Sequence, residues 1–520
     1  MRKFFLFVIV AAISISVFAD IKVYLKNGRR MTGALVSMDE KKITIALPGR
    51  GTMRTSFPKE DVESIEGLSY DEFARAKKTH DALTFEGKEQ GFKSSFSDAI
   101  KLVEEKRALP FILDVNHEIL ERDQLQDYLR KEMDRSISDE DIERERKLLI
   151  QLGLLSADTD YKEMTINLFT RSVAGLYDPR EKKMYLLKDA TSRVSPIMPS
   201  EVIMHELVHA LQDQYLFLDQ IDEELKTLDM DQTLARRAVI EGEATFVSYS
   251  IVGDYVKKIY GQKMPKNALA MLDMEKFIFE SMQLMTNSLS DDFTKKPLLE
   301  YMIFPYVRGG TFMKYAFDNG GWAAVDKIYK DYPVSSEQVI HPEKYFLVKD
   351  EPLPLAEKKL AFLQAAGFQC VDRGVLGEFT LYAMAQTFLD GLYAKMISEG
   401  WGNDRYYLFE KESKNIFIMD TLWDSSQDTE EFYKGIKALF DKKYKGLAWT
   451  EHKDFFVGHN EIDTVYGGKK GAEVVTIESK INDTELISEL VSAFAFPWTA
   501  SGPEDLREKP ARSESAPSGK

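Results

Sequence analysis

Met204-His205-Glu206-Leu207-Val208-His209-Ala210-Leu211-Gln212-Asp213-Gln214 is the stretch on which the reading of this chain turns. Helical residues four apart share a face, with Cβ atoms about 5–6 Å apart, so a helix here sets the imidazoles of His205 and His209 side by side. Two nitrogens so placed can meet one zinc ion at about 2.0–2.1 Å each. Glu206 leans over the same edge, where it can take a proton from a metal-bound water. The helix is expected from Glu201 to Leu218, after Pro199 and with Ser200 as its N-cap, because no Pro or Gly interrupts it. Val202, Leu207, Val208 and Leu211 are expected to bury its flanks. A helix carrying two ordinary surface histidines is the plain alternative, so the motif needs a third ligand.

Ala238-Val239-Ile240-Glu241-Gly242-Glu243-Ala244 offers one. Glu241 is a carboxylate in an otherwise apolar helical pattern, and a buried carboxylate calls for a cation. Gly242 would let two helices approach closely. The competing reading pairs Glu241 with Arg237 one turn earlier. Hydrolysis also needs a donor for the developing oxyanion. His341 is the first candidate, then Tyr306 and Tyr301. Asp213, one turn from His209, could orient that ring. Gly309-Gly310 is expected to let its helix pack close to the histidine helix.

The run His205 to Gln214, followed by Glu241-Gly242-Glu243-Ala244, resembles the gluzincins, zinc peptidases with two His and one Glu as ligands. It is also similar to exported bacterial zincin-like proteins with the same His-Ala-Leu-Gln-Asp-Gln run. The resemblance implies a zincin-like catalytic domain, one zinc ion on His205, His209 and Glu241, Glu206 as general base, and a peptide or protein substrate. Glu243 is an alternative ligand or a supporting residue. The interval to Glu241 is longer than in the aminopeptidase-like members, and no amine-binding signature accompanies it. Zincins bind substrate backbone along a strand beside the active helix, and Met184 to Leu187 is the strand expected to do so. Two rival functions remain at this point. One is a zinc amidase acting on a non-protein amide, the other a catalytically inactive exported binding or scaffold protein.

Around this centre, the 520 residues read as an α+β, mostly helical chain with a small N-terminal β-barrel and a C-terminal α/β extension. Lys and Arg number 69 against 85 Asp and Glu, a net charge of -16 that lacks the basic stripe of a nucleic-acid binder. Residues 1–19 read as a signal peptide, with a basic start, an apolar run from Phe4 and a cut before Asp20. Export to the periplasm or medium is therefore expected, with no membrane span after cleavage; an uncleaved anchor is the alternative. Residues 20–67 alternate in about five short strands and resemble SH3-like or Sm-like barrels, a structural or docking module with room for a partner. Residues 68–110 read as a helical linker, 111–350 as the zincin-like domain, 351–500 as an α+β region and 501–520 as a disordered tail. Within 351–500, a helix is expected around Phe379–Ser398, strands near Tyr406–Glu410 and Ile416–Leu422, and a helix from Thr429 to Phe440. Trp401 to Tyr406 and Trp423 to Ser425 read as turns. Cys370 is the single cysteine, which rules out an internal disulfide, and is expected to be a small buried residue. His80, His117, His452 and His459 read as surface residues.

Overall fold

A computed structural model of the chain describes residues 21–27, 29–38, 42–46, 54–66, 85–172, 175–188, 201–260, 296–480 and 484–496. The expected signal peptide, the Ser200 N-cap, His80 and the expected tail lie outside the described residues. The protein is mixed α+β and helix-rich, with strands concentrated toward the C-terminus. No helix among the described residues is long and apolar enough to cross a membrane.

Strands β1 (Ile21–Leu25), β2 (Arg30–Met38), β3 (Lys42–Ala46), β4 (Arg54–Pro58) and β5 (Val62–Glu66) form an antiparallel sheet in the order β4-β3-β2-β1-β5. Val23 and Leu25 are two apart and both buried, as period-two side chains on one face must be. Helix α1 (Phe85–Arg107) follows. It is not a free linker: Phe96, Ala99 and Val103 pack into one core with Met204, Leu207, Leu211 and Val247. Its polar composition hides an apolar stripe at helical spacing.

Strand β6 (Asn116–Leu120) leads into α2 (Arg122–Ser136), α3 (Asp139–Gln151) and α4 (Tyr161–Ser172), then β7 (Gly175–Asp178) and β8 (Lys183–Leu187). Ser138 caps α3 by accepting from the Asp141 backbone N–H, and Gly153, at φ 78°, turns the chain away after it. The three strands form a sheet ordered β6-β8-β7, with β8 parallel to β6 and antiparallel to β7. Met184 to Leu187 is thus the central strand. Both its backbone edges are paired, so it cannot accept a substrate strand; the expectation that it would is corrected.

Helices α5 (Glu201–Leu216), α6 (Leu218–Leu225), α7 (Met230–Tyr260) and α8 (Lys296–Ile328) build the centre. Every residue of α5 from Glu201 to Asp213 is buried, so this helix is enclosed on all sides. Helices α7 and α8 cross backbone to backbone. A Cβ added at Gly242 would lie 2.3 Å from the Gly309 carbonyl carbon, and one at Gly309 would lie 2.0 Å from the Ala238 oxygen. Gly309 therefore brings α8 against α7, the helix of Glu241, rather than against the histidine helix as expected.

The remainder comprises α9 (Ser336–Ile340), α10 (Ala361–Ala365), β9 (Gln369–Gly374), α11 (Gly377–Phe388), α12 (Gly391–Ser398), β10 (Trp401–Lys411), β11 (Lys414–Trp423), α13 (Ser426–Lys443), β12 (Ala448–Glu451), β13 (Phe455–His459), β14 (Thr464–Lys470), β15 (Glu473–Ser479) and α14 (Thr484–Ala493). The seven strands form one antiparallel sheet in the order β12-β13-β14-β15-β11-β10-β9. Alternate residues of β10 serve two cores. Tyr406 and Leu408 join α11 and α13 on one face, while Tyr407 and Phe409 join α14 on the other. The first of these cores runs from Leu120 to Val474, so no boundary in packing falls near residue 350. Asp404 of β10 accepts from the backbone N–H groups of Leu376 and Gly377, capping α11 from the sheet. The helix expected around Phe379–Ser398 is two helices, because Asp390 caps α12 afresh. Trp401 and Trp423 are buried cross-strand partners at the end of the β10–β11 hairpin, not turn residues. Cys370 is exposed on β9, the outer strand of its sheet, where the expectation was burial.

Candidate metal centre

Helix α5 carries His205, Glu206 and His209, and α7 brings Glu241 across to them. All four side chains are almost completely buried. His205 Nε2 and His209 Nε2 lie 3.2 Å apart, and Glu241 Oε2 lies 3.4 Å from the first and 3.2 Å from the second. A tetrahedral ion with bonds of about 2.0–2.1 Å spaces its donors about 3.3–3.4 Å apart along each edge, so the three atoms match one face of that tetrahedron.

The hydrogen bonding around them supports the match. His209 Nδ1 lies 2.7 Å from Gln212 Oε1. Gln212 Nε2 donates to the Ile240 carbonyl (3.0 Å) and to Glu243 Oε2 (2.8 Å), which fixes the amide with its oxygen toward the imidazole. His209 Nδ1 therefore carries the proton, and its Nε2 lone pair faces the Glu241 carboxylate. A proton shared between one pair satisfies a single contact, whereas one cation satisfies all three. Burial pushes the His205 imidazole down to about 4, so this ring is neutral at pH 7 and ready to ligate. Burial opposes charge on Glu241, and a cation between the three donors would offset that cost.

Glu206 is fully buried and neither carboxylate oxygen completes a hydrogen bond. Burial, with Glu241 and Glu201 nearby, pushes this carboxyl well above its ordinary value, while the Tyr177 backbone N–H pulls the other way. Glu201, one turn before His205, accepts from Ser248 Oγ (2.9 Å), and burial pushes its carboxyl up to about 7. This carries a prediction. The unfolded chain gives up this proton near 4.5 and the folded protein near 7, so Glu201 costs stability progressively as pH rises through that window. Glu201→Gln is expected to raise the urea midpoint at pH 8 and to leave it nearly unchanged at pH 4. Equal midpoint shifts at the two pH values would refute it.

The other expected residues divide. Tyr306 on α8 stacks beside His205, with ring centroids 6.2 Å apart. Tyr301 faces the other way, stacked on Phe379 of α11 at 6.3 Å. His341 follows α9 and bonds Glu378 Oε1 through Nε2 (3.0 Å). This hydrogen bond pushes the imidazole upward. Glu378 lines a separate cavity of about 580 Å³ with Arg308, Tyr382 and Lys395. The structure thus joins His205, Glu206, His209, Glu241 and Tyr306, and sets His341 and Tyr301 in other surroundings. Glu243 is no ligand here, since it bonds Arg107, Gln212 and Tyr329. Asp213 does not orient His209. It accepts from Tyr177 Oη (2.7 Å), Lys182 Nζ (2.9 Å) and the Leu218 N–H (3.0 Å), pinning the turn between β7 and β8 to the end of α5. Gln212 takes the orienting part, and only its spacing of three from His209 could have signalled it.

A second acidic group, Glu337, Asp350 and Asp424, also has metal-like spacing. Lys344 Nζ sits among the three at 2.6, 2.8 and 2.8 Å and supplies the cation itself.

A family described as a domain of unknown function (DUF8575) matches residues 366–486, the region of β9 to β15, and includes none of the four central residues. No curated protein and no solved structure matches the chain.

Proposed function

We propose that the chain is a zinc-dependent metallopeptidase of the gluzincin kind, with His205, His209 and Glu241 as ligands. The observation that supports this most is the triangle of donor atoms at tetrahedral edge lengths, beside the fully buried Glu206 carboxylate. Zinc held there would acidify a bound water and polarise a peptide carbonyl. Glu206 takes the proton from the attacking water and returns it to the leaving amine. Its burial, which pushes the carboxyl well above its ordinary value, makes it a stronger base for that proton. Tyr306 is the expected donor to the developing oxyanion, because of the three candidates it alone packs against a ligand. The substrate-strand role passes from β8 to β7, which pairs only with β8 among the described residues and whose Tyr177 N–H faces Glu206. Export, as expected for residues 1–19, places this activity outside the cytoplasm.

The test is metal uptake with cleavage. Metal-stripped protein titrated with zinc against a competing chelator is expected to take up one ion and to gain activity on casein. Glu241→Ala is expected to weaken zinc by more than the roughly 10–100-fold that loss of an outer partner costs. Unchanged zinc affinity in that variant removes Glu241 from the ligand set. A zinc-loaded chain inert toward casein and peptide libraries counts against the peptidase reading.

A further inference from the structure

We infer that Gln212, held in place by Glu243, Tyr329 and Arg107, fixes His209 in its Nδ1–H tautomer and thereby sets the metal affinity of the centre. The inference rests on the ligand reading above and deepens it.

Gln212 is buried on α5 and meets four groups. Its Oε1 accepts from His209 Nδ1 (2.7 Å), while Nε2 lies at 3.0 Å from the Ile240 carbonyl, 2.8 Å from Glu243 Oε2 and 2.9 Å from Tyr329 Oη. A carbonyl and a carboxylate can only accept, so the amide cannot turn round. Glu243 is itself saturated, with Arg107 Nε donating to one oxygen and Tyr329 Oη to the other. Arg107 comes from α1, donates also to Asp326 on α8, and lies 4.5 Å from the Trp322 ring centroid. Burial opposes its charge, yet Glu243 and Asp326 hold it firmly protonated. The relay thus joins α5, α7, α1 and α8, all of which pack around the metal centre.

The amide matters as much as its position. A carboxylate at 212 would set two like charges 2.8 Å apart against Glu243. An amide accepts at one end and donates at the other, so it passes the negative character of Glu243 to His209 without adding charge. A ring whose Nδ1–H is so engaged presents a more basic Nε2 to the metal. These residues position a ligand; none touches the metal.

The test reads tautomer and affinity separately. Metal-free protein labelled with 15N-histidine is examined by two-bond 1H–15N correlation, and zinc affinity by chelator competition. Wild-type His209 is expected as the Nδ1–H form alone. Gln212→Ala is expected to mix tautomers and to weaken zinc by about 10–100-fold. Gln212→Glu is expected to weaken it as well. Gln212→Glu combined with Glu243→Gln replaces the repulsion between the two carboxylates with an amide donor, so partial recovery of affinity is expected, with the Ile240 carbonyl still facing the new carboxylate. Packing alone would give no such rescue. An unchanged tautomer in Gln212→Ala, or zinc affinity within about twofold of wild type, overturns the inference. If wild type shows the single tautomer but takes up no zinc, the metal-affinity half falls with the ligand reading, while the Gln212–His209 pairing stands.

Discussion

Glu206→Gln is expected to keep one zinc per chain and to lower peptide hydrolysis by about 10²–10⁴-fold, the range for loss of a general base. The substitution preserves volume at a position with no exposure. It removes the basic lone pair that takes the water's proton, and leaves His205, His209 and Glu241 untouched. Stability gives an independent readout. The carboxylate is fully buried, and burial outweighs the Tyr177 backbone N–H in pushing its carboxyl well above the ordinary value, so its ionised form opposes folding of the metal-free protein. The metal-free Glu206→Gln variant is therefore expected to unfold at a denaturant concentration no lower than wild type. Full activity with zinc bound would remove Glu206 from the chemistry.

Gly309→Ala is expected to cost about 1–3 kcal/mol or more, the scale of overpacking in a closed core. The added Cβ would meet the Ala238 oxygen at 2.0 Å and its Cα at 3.0 Å. Both are backbone atoms, so no rotamer change relieves the clash, and α7 and α8 must separate. The separation falls one turn from Glu241, so zinc affinity is expected to drop together with stability. Gly253→Ala on α7 is the matched control. Nothing lies within 4 Å of a Cβ there, and removing a helical glycine is expected to be neutral or to stabilise by about 0.5–1 kcal/mol. Denaturant unfolding with zinc competition checks both variants. Equal stability of the two would mean that the crossing tolerates a methyl group.

What was legible in the sequence was local. The spacing of His205 and His209 survives because helical period alone puts both on one face. Glu241 stood out because a carboxylate in an apolar helical run needs an explanation. The strand at Ile21–Leu25 followed from alternation of Ile21, Val23 and Leu25. What failed depended on partners distant in the chain. Whether Met184–Leu187 is an edge or a centre is decided by Asn116–Leu120, which pairs with it in parallel across α2, α3 and α4. Asp213 and Gln212 are neighbours, but Tyr177 and Lys182 claim the first and leave the second for His209. Helix spacing cannot choose between them. Trp401 and Trp423 looked like turn anchors because the hairpin that pairs them extends further than its apolar alternation.

Lys344 bears on how metal content is to be counted. An acidic triad open to solvent would compete for divalent ions and blur any stoichiometry. Here a tethered ammonium holds that position at an effective concentration no dissolved ion matches. The acidic cluster is saturated from within before any metal arrives. Among the described residues two triads have metal-like spacing and one is already filled by its own lysine, so on the proposed ligand reading metal uptake is expected to follow the histidine triad.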